Sequence, residues 1–230
     1  MINSKTPDVT VIIPAAGIGR RMKSYGPKPL IMIGESTIIN NQIGTIRSYL
    51  NPKDIILICG FRADKLMNET SESIVKIENE SYQDTNVARS IGMGLRATRV
   101  ADVVVVVYGD LVFNSAAIES LNLEKSCIVV DTEYMGVSEV GCIIDEDGNL
   151  ANMMYDLPIK WGQIAVFKNR ELELLKDLCW DKKNYKKFGF EIINRITERG
   201  GVFECIQNED IKVIDIDTSK DIQTAIGILS

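Results

Sequence analysis

The segment Val11–Ile33 reads V-I-I-P-A-A-G-I-G-R-R-M-K-S-Y-G-P-K-P-L-I-M-I, and its residue types suit an anion-binding loop. An apolar strand stops at Pro14. The small residues Ala15, Ala16, Gly17 and Gly19 then let the backbone come close to a flat or anionic ligand. Successive backbone N–H groups in such a loop cradle phosphates, and Arg20, Arg21 and Lys28 add positive charge. It is not a dinucleotide fingerprint, because the third glycine is missing, nor a Walker A loop, because no G-K-S/T follows.

Three further observations bear on the chemistry. Tyr108-Gly109-Asp110 ends the most apolar run, Val103–Tyr108. Ligands of open α/β sheets sit beyond the carboxyl ends of strands, where a carboxylate is costly unless solvated or paired with a cation. Farther on, Val213–Thr218 reads V-I-D-I-D-T, and period-two alternation puts Asp215 and Asp217 on one strand face. Asp217 and Thr218 also stand where a cap for a final helix belongs. The chain has no histidine, which excludes Ser-His-Asp hydrolases, Cys-His proteases and histidine metal sites. Its chemistry must run on carboxylates, lysine, arginine, backbone amides and metal.

The loop A-A-G-x-G-x-R-M followed by P-K-P-L resembles the signature of the nucleotidyltransferase superfamily, which includes sugar-1-phosphate nucleotidyltransferases and small-molecule cytidylyltransferases. The spelling P-A-A-G-x-G-R-R-M is similar to that of methylerythritol phosphate cytidylyltransferases, although the chain does not continue in their pattern. Asn79–Ile91, N-E-S-Y-Q-D-T-N-V-A-R-S-I, resembles the N-P-x-Y-x-x-T-N-x-x-x-S-L motif of phosphocholine and inositol-phosphate cytidylyltransferases, with Glu80 in place of proline. V-I-D-I-D-T resembles the superfamily's E-I-D-T/S, with Asp215 replacing glutamate.

The resemblance implies roles for these residues. Ala15, Ala16, Gly17, Gly19, Arg20, Asn86 and Ser90 would bind nucleotide, Asn86 and Ser90 facing base and ribose. Asp110 and Asp217 would hold Mg²⁺, while Arg21 and Lys28 act catalytically on the phosphates. The reaction would be in-line attack of an acceptor phosphate or phosphonate oxygen on the α-phosphorus of a triphosphate, releasing pyrophosphate without a covalent intermediate. Trp161, Tyr185 and Glu191 are candidates to hold a cationic or amino-bearing acceptor. Gln163 stands where relatives show Gly-Glu, and Tyr155 and Asp156 where relatives carry a lysine pair.

Three readings follow. The first is a cytidylyltransferase using CTP and a small phosphorylated acceptor. The second is a sugar-1-phosphate uridylyl-, thymidylyl- or guanylyltransferase, whose usual G-x-G-T-R-L and P-L-T are absent. The third is a non-catalytic nucleotide-binding regulatory protein, against which stand the retained loop cations and aspartates.

The elements that must position these residues alternate. Strands at Val9–Pro14, Asp54–Cys59, Ser73–Glu78 and Val103–Tyr108 are separated by helices at Thr37–Leu50, Ala63–Glu69 and Thr85–Thr98. Strands then follow in succession at Ser126–Asp131, Val140–Asp145, Leu150–Met154 and Gln163–Lys168, with Asp147-Gly148 as a hairpin signal. Helices at Glu171–Leu178 and Tyr185–Glu198, strands at Phe203–Ile206 and Lys212–Asp217, and a helix at Lys220–Leu229 complete the pattern. The expected fold is a three-layer α/β/α, Rossmann-like, with a mostly parallel, mixed sheet. Residues 1–230 are expected to form one domain, with a nucleotide half to about 115 and an acceptor half beyond.

A net charge of −6 argues against nucleic-acid binding. The longest apolar run is too short to span a bilayer. The unpaired pattern of five cysteines and the lack of a secretory signal suggest a cytoplasmic protein. Oligomeric state is left open.

Overall fold

The computed structural model describes residues 7–19, 26–70, 73–99, 101–131 and 139–229. Strand β1 (Val9–Ala15) leads to a 3-10 turn at Lys28–Leu30, then a small hairpin of β2 (Met32–Ile33) and β3 (Ser36–Thr37). Next come α1 (Ile38–Leu50), β4 (Asp54–Cys59), α2 (Ala63–Glu69), β5 (Val75–Glu78), α3 (Val87–Ala97) and β6 (Val103–Val107). β7 (Leu111–Phe113) and the one-turn α4 (Ala116–Glu119) precede β8 (Cys127–Asp131), β9 (Val140–Ile144), β10 (Leu150–Tyr155) and β11 (Ile159–Lys168). The order ends with α5 (Asn169–Trp180), a 3-10 turn at Lys182–Asn184, α6 (Gly189–Glu198), β12 (Glu204–Ile206), β13 (Val213–Asp215) and α7 (Ser219–Leu229).

The main sheet runs β10-β9-β11-β6-β1-β4-β5, with β8 paired to β11 and β12 to β8. β1 lies parallel between β4 and β6, and β4 is parallel to β5. β11 reverses the direction, running against β6, β8 and β9. Strands with no polar face need cover on both sides. Val11, Ile13, Val103 and Val105 join Ile39, Ile43 and Ile46 of α1 and Leu66 of α2. On the other face Ile12, Val104 and Val106 meet Ile91 and Leu95 of α3, Leu172 and Leu175 of α5, and Ile192 and Ile196 of α6. This is the expected three-layer α/β/α architecture with a mixed sheet. Among the described residues no helix is long and apolar enough to cross a membrane.

Helix α3 packs on α5 at Gly92, where an added Cβ would lie 2.5 Å from the Cys179 carbonyl oxygen. Gly92→Ala has to push the two helices apart. The expected loss is about 1–3 kcal/mol, read as a lower urea midpoint with an unchanged slope. An unchanged midpoint would show that the helices separate freely.

A smaller core decides where the candidate chemistry sits. Ile31, Ile33 and Ile38, Val112 of β7, and Ile214, Ile216 and Ala225 pack together. β7 pairs antiparallel with β13, Leu111 opposite Asp215, and the Ile216 N–H donates to the Asp110 carbonyl at 3.0 Å. Lys28, Asp110 and Asp217 therefore each lie a few residues from an apolar anchor in one cluster.

Besides the short elements β2, β3, β7 and α4, which the sequence reading did not include, three expected elements have different bounds. The helix expected over Tyr185–Glu198 begins at Gly189, because the Glu191 carboxylate accepts the Phe188 N–H at 2.8 Å and caps a new start. Strand β11 begins at Ile159, ahead of Gln163. The strand expected to reach Asp217 stops at Asp215, since β7 offers three residues to pair with.

Candidate functional site

The loop after β1 is gripped from both sides by backbone. The Gly109 N–H donates to the Pro14 carbonyl and the Phe61 N–H to the Ala16 carbonyl, both at 3.1 Å. A Cβ on Gly109 would lie 2.7 Å from the Ala15 Cβ, and one on Gly60 would lie 2.6 Å from the Ala16 oxygen. Glycine at both flanks lets three strand ends converge at this point. Beyond them opens a cleft of about 400 Å³, a size typical of small-molecule sites. Ala15, Ala16, Gly17, Gly19, Lys28, Asn86, Ser90 and Asp110 all line it. Arg20 and Arg21 lie outside the described residues.

At one end of the cleft Lys28 bridges two carboxylates, its Nζ 3.0 Å from Asp110 Oδ2 and 2.6 Å from Asp217 Oδ1. Burial disfavours the ammonium, yet Asp110 and Asp217 outweigh that and raise its pKa above the ordinary lysine value. Burial also raises the Asp110 pKa; Lys28 opposes the shift, and Asp215 and Asp217 add to it. The Asp221 carboxylate accepts the N–H groups of Asp217 and Thr218, at 2.9 and 2.6 Å, and leaves the Asp217 side chain to face Lys28.

These residues fit a divalent cation. Two hard oxygen donors already surround one positive charge, and both carboxylates keep contact with solvent, at 30 % and 26 % side-chain exposure. Among the described residues no larger group of His, Cys, Asp or Glu is gathered for a metal. Mg²⁺ commonly takes one or two carboxylates and fills its remaining positions with water and substrate phosphates.

At the other end, Asn86 caps α3, accepting the Val87 N–H at 2.8 Å. Asn79, Tyr82, Thr85 and Val87 line the same wall. The N-x-x-Y-x-x-T-N spacing already marked the segment, although Asn79 was not singled out as a site residue.

The three acceptor candidates are engaged elsewhere. Trp161 is 4 % exposed and packs edge-on against Tyr108 at 5.5 Å in the core. Tyr185 lies under the Arg89 guanidinium at 4.5 Å, and its carbonyl accepts the Asn86 N–H at 2.7 Å. Glu191 pairs with Lys187 and caps α6. Gln163 and Phe188 reach the cleft instead. Gln163 has φ 56° inside β11, a left-handed conformation that strains a residue with a side chain. Lys160 is 2 % exposed and ion-pairs with Glu139 at 2.7 Å and Asp215 at 3.2 Å.

The cleft thus lies at the carboxyl ends of parallel strands, where open α/β sheets bind their ligands, with two carboxylates gathered around a cation beside a small-residue loop. The chain belongs to the MobA-like NTP transferase family, whose domain model matches residues 11–184. Over 235 residues it is 30% identical to the bifunctional protein GlmU of Buchnera aphidicola subsp. Schizaphis graminum, an alignment covering 94% of this chain and 48% of that protein. A 46-residue stretch is 44% identical to 2-C-methyl-D-erythritol 4-phosphate cytidylyltransferase of Blochmanniella pennsylvanica, covering 20% of each chain. The chain thus spans about half the length, or less, of these curated relatives.

Solved structures share the fold at low identity. The CTP:phosphocholine cytidylyltransferase LicC of Streptococcus pneumoniae superposes with a TM-score of 0.76 at 18% identity, covering 97% of this chain and 100% of that one. The inositol-1-phosphate CTP transferase of T. maritima does so with a TM-score of 0.77 at 12% identity, covering 97% of each chain.

Proposed function

We propose that the chain transfers CMP from CTP to a small phosphorylated or phosphonate acceptor and releases pyrophosphate, with Mg²⁺ as cofactor. The observation that carries this reading is one cleft lined both by Ala15–Gly17, Asn86 and Ser90 and by Lys28 and Asp110. Asp110 and Asp217 would hold the Mg²⁺, which when bound supplies positive charge to the phosphates. Lys28, with Arg21, would neutralise charge building on the α-phosphate and the departing pyrophosphate. Positioning and charge suffice for in-line displacement, so no side-chain nucleophile is required. Gln163 and Phe188 line the cleft from the second half of the chain, and we assign them to the acceptor side. Residues 1–230 act in this reading as one domain.

Pyrophosphate release from CTP, UTP, ATP and GTP against a panel of phosphorylated acceptors tests the proposal. CTP is expected to lead by at least about tenfold in kcat/KM, the cost of one unpaired buried polar group. Calorimetric titration of the four nucleotides with Mg²⁺ reads the binding half without the acceptor. Tighter binding of UTP or GTP would promote a second reading, nucleotide-sugar synthesis from a sugar 1-phosphate.

A further inference from the structure

Serine and threonine hydroxyls in helices often turn back on the carbonyl four residues earlier. Ser48, Thr98 and Thr197 do so here, donating to Gly44, Gly94 and Ile193 at 3.0, 3.0 and 3.2 Å. Ser90 of α3 makes no such bond among the described residues. Its oxygen accepts from the side-chain amide of Asn79 at 3.3 Å, which leaves its proton for the cleft that both residues line.

The Asn79 amide cannot be turned round. Asn79 is 2 % exposed, its backbone N–H donates to the Cys59 carbonyl at 2.8 Å, and its side-chain oxygen accepts the Ser81 N–H at 3.2 Å. A flipped amide would set its NH₂ against that N–H. In the observed orientation the NH₂ serves two hydroxyls, Ser90 and Thr85, the latter at 3.2 Å. Thr85 passes its own proton to the Ser81 carbonyl at 2.7 Å.

We infer that Asn79 is a positioning residue that fixes the polarity of Ser90, so that Ser90 offers a proton to the cleft and selects a hydrogen-bond acceptor on the bound base. The inference rests on the CTP reading and deepens it. Ring atom N3 is an acceptor in cytosine and carries a hydrogen in uracil. At a hydroxyl as buried as that of Ser90, 3 % exposed, the mismatched base leaves a donor facing a donor.

The test is the ratio of CTP to UTP affinity, titrated with Mg²⁺ in four forms: wild type, Asn79→Asp, Ser90→Ala and the double variant. A carboxylate at position 79 only accepts, so it draws the Ser90 proton away from the cleft and turns a lone pair toward the base. Asn79→Asp is expected to shift the ratio toward UTP by at least about tenfold. Any repulsion of the triphosphate by the new charge affects both nucleotides and cancels in the ratio. Ser90→Ala also shifts the ratio toward UTP, and adding Asn79→Asp to it leaves the ratio where Ser90→Ala put it. A purely structural role for Asn79 would not produce that dependence.

An unchanged ratio in Asn79→Asp, or a further shift in the Ser90→Ala background, overturns the inference. If Asn79→Asp does not fold, Asn79→Ala replaces it; the freed hydroxyl then brings the ratio closer to one, and an unchanged ratio again overturns the inference. A wild type without CTP preference would refute the CTP reading. The polarity device would still be judged by the shift between wild type and Asn79→Asp and by its loss without Ser90.

Discussion

Replacing Asp110 or Asp217 with asparagine is expected to lower turnover by about 10²–10³-fold, the usual cost of removing one preorganised electrostatic group. Asparagine keeps the shape of the side chain and removes the negative charge that would hold Mg²⁺. The fold is expected to survive. Because burial raises the Asp110 carboxyl above its ordinary value, the folded chain binds that proton more tightly than the unfolded chain does. Its contribution to stability is therefore full at low pH and falls as pH rises through the folded-state pKa. A neutral side chain removes that cost at neutral pH, so activity is lost while cooperative unfolding persists. EDTA is expected to silence the wild type in the same assay. Full turnover in metal-free buffer would end the assignment of both aspartates.

Lys28→Ala is expected to lower kcat by about 10²-fold and to raise KM far less, because its charge matters most as the α-phosphate and pyrophosphate gain negative charge. The ion pairs give this variant a second signature. Lys28 lies 3.0 and 2.6 Å from the two carboxylates that would hold the metal. Removing it takes away the ammonium that the two carboxylates share. Mg²⁺ alone should then raise the melting temperature of the variant more than that of the wild type, since no ammonium competes for the site. If KM alone rises, Lys28 binds substrate uniformly and its catalytic role is wrong.

Much of this arrangement was legible in the sequence for identifiable reasons. Val103–Val107 and Ile55–Cys59 are apolar throughout because parallel strands are covered on both faces, and the Ile and Leu spacings of α1 and α5 show the covering layers. The loop and Asp110 could be placed because ligands gather at strand ends. The bridge from Lys28 to Asp110 and Asp217 could not, since its partners lie 82 and 189 residues apart and β7 is too short to show a period. Trp161 lies off the cleft wall for a local reason. Alternation along β11 would put Trp161 and Gln163 on one face, but the register against β8 shifts between Trp161 and Ala165. Trp161 packs in the core, and Gln163 faces the cleft.

The Lys28–Asp217 ion pair closes a loop of 189 residues. Closing a flexible loop of that length costs on the order of 5 kcal/mol in chain entropy, whereas a partly exposed ion pair returns about 1 kcal/mol at most. The pair cannot hold the distant segments together by itself. They are brought together by the small core of Ile31, Ile33, Val112, Ile214 and Ile216, and the lysine and aspartate meet once that core has formed. The candidate site therefore depends on a core outside the main sheet, and a substitution that loosens that core is expected to part Lys28 from Asp217 while the parallel strands stay in place.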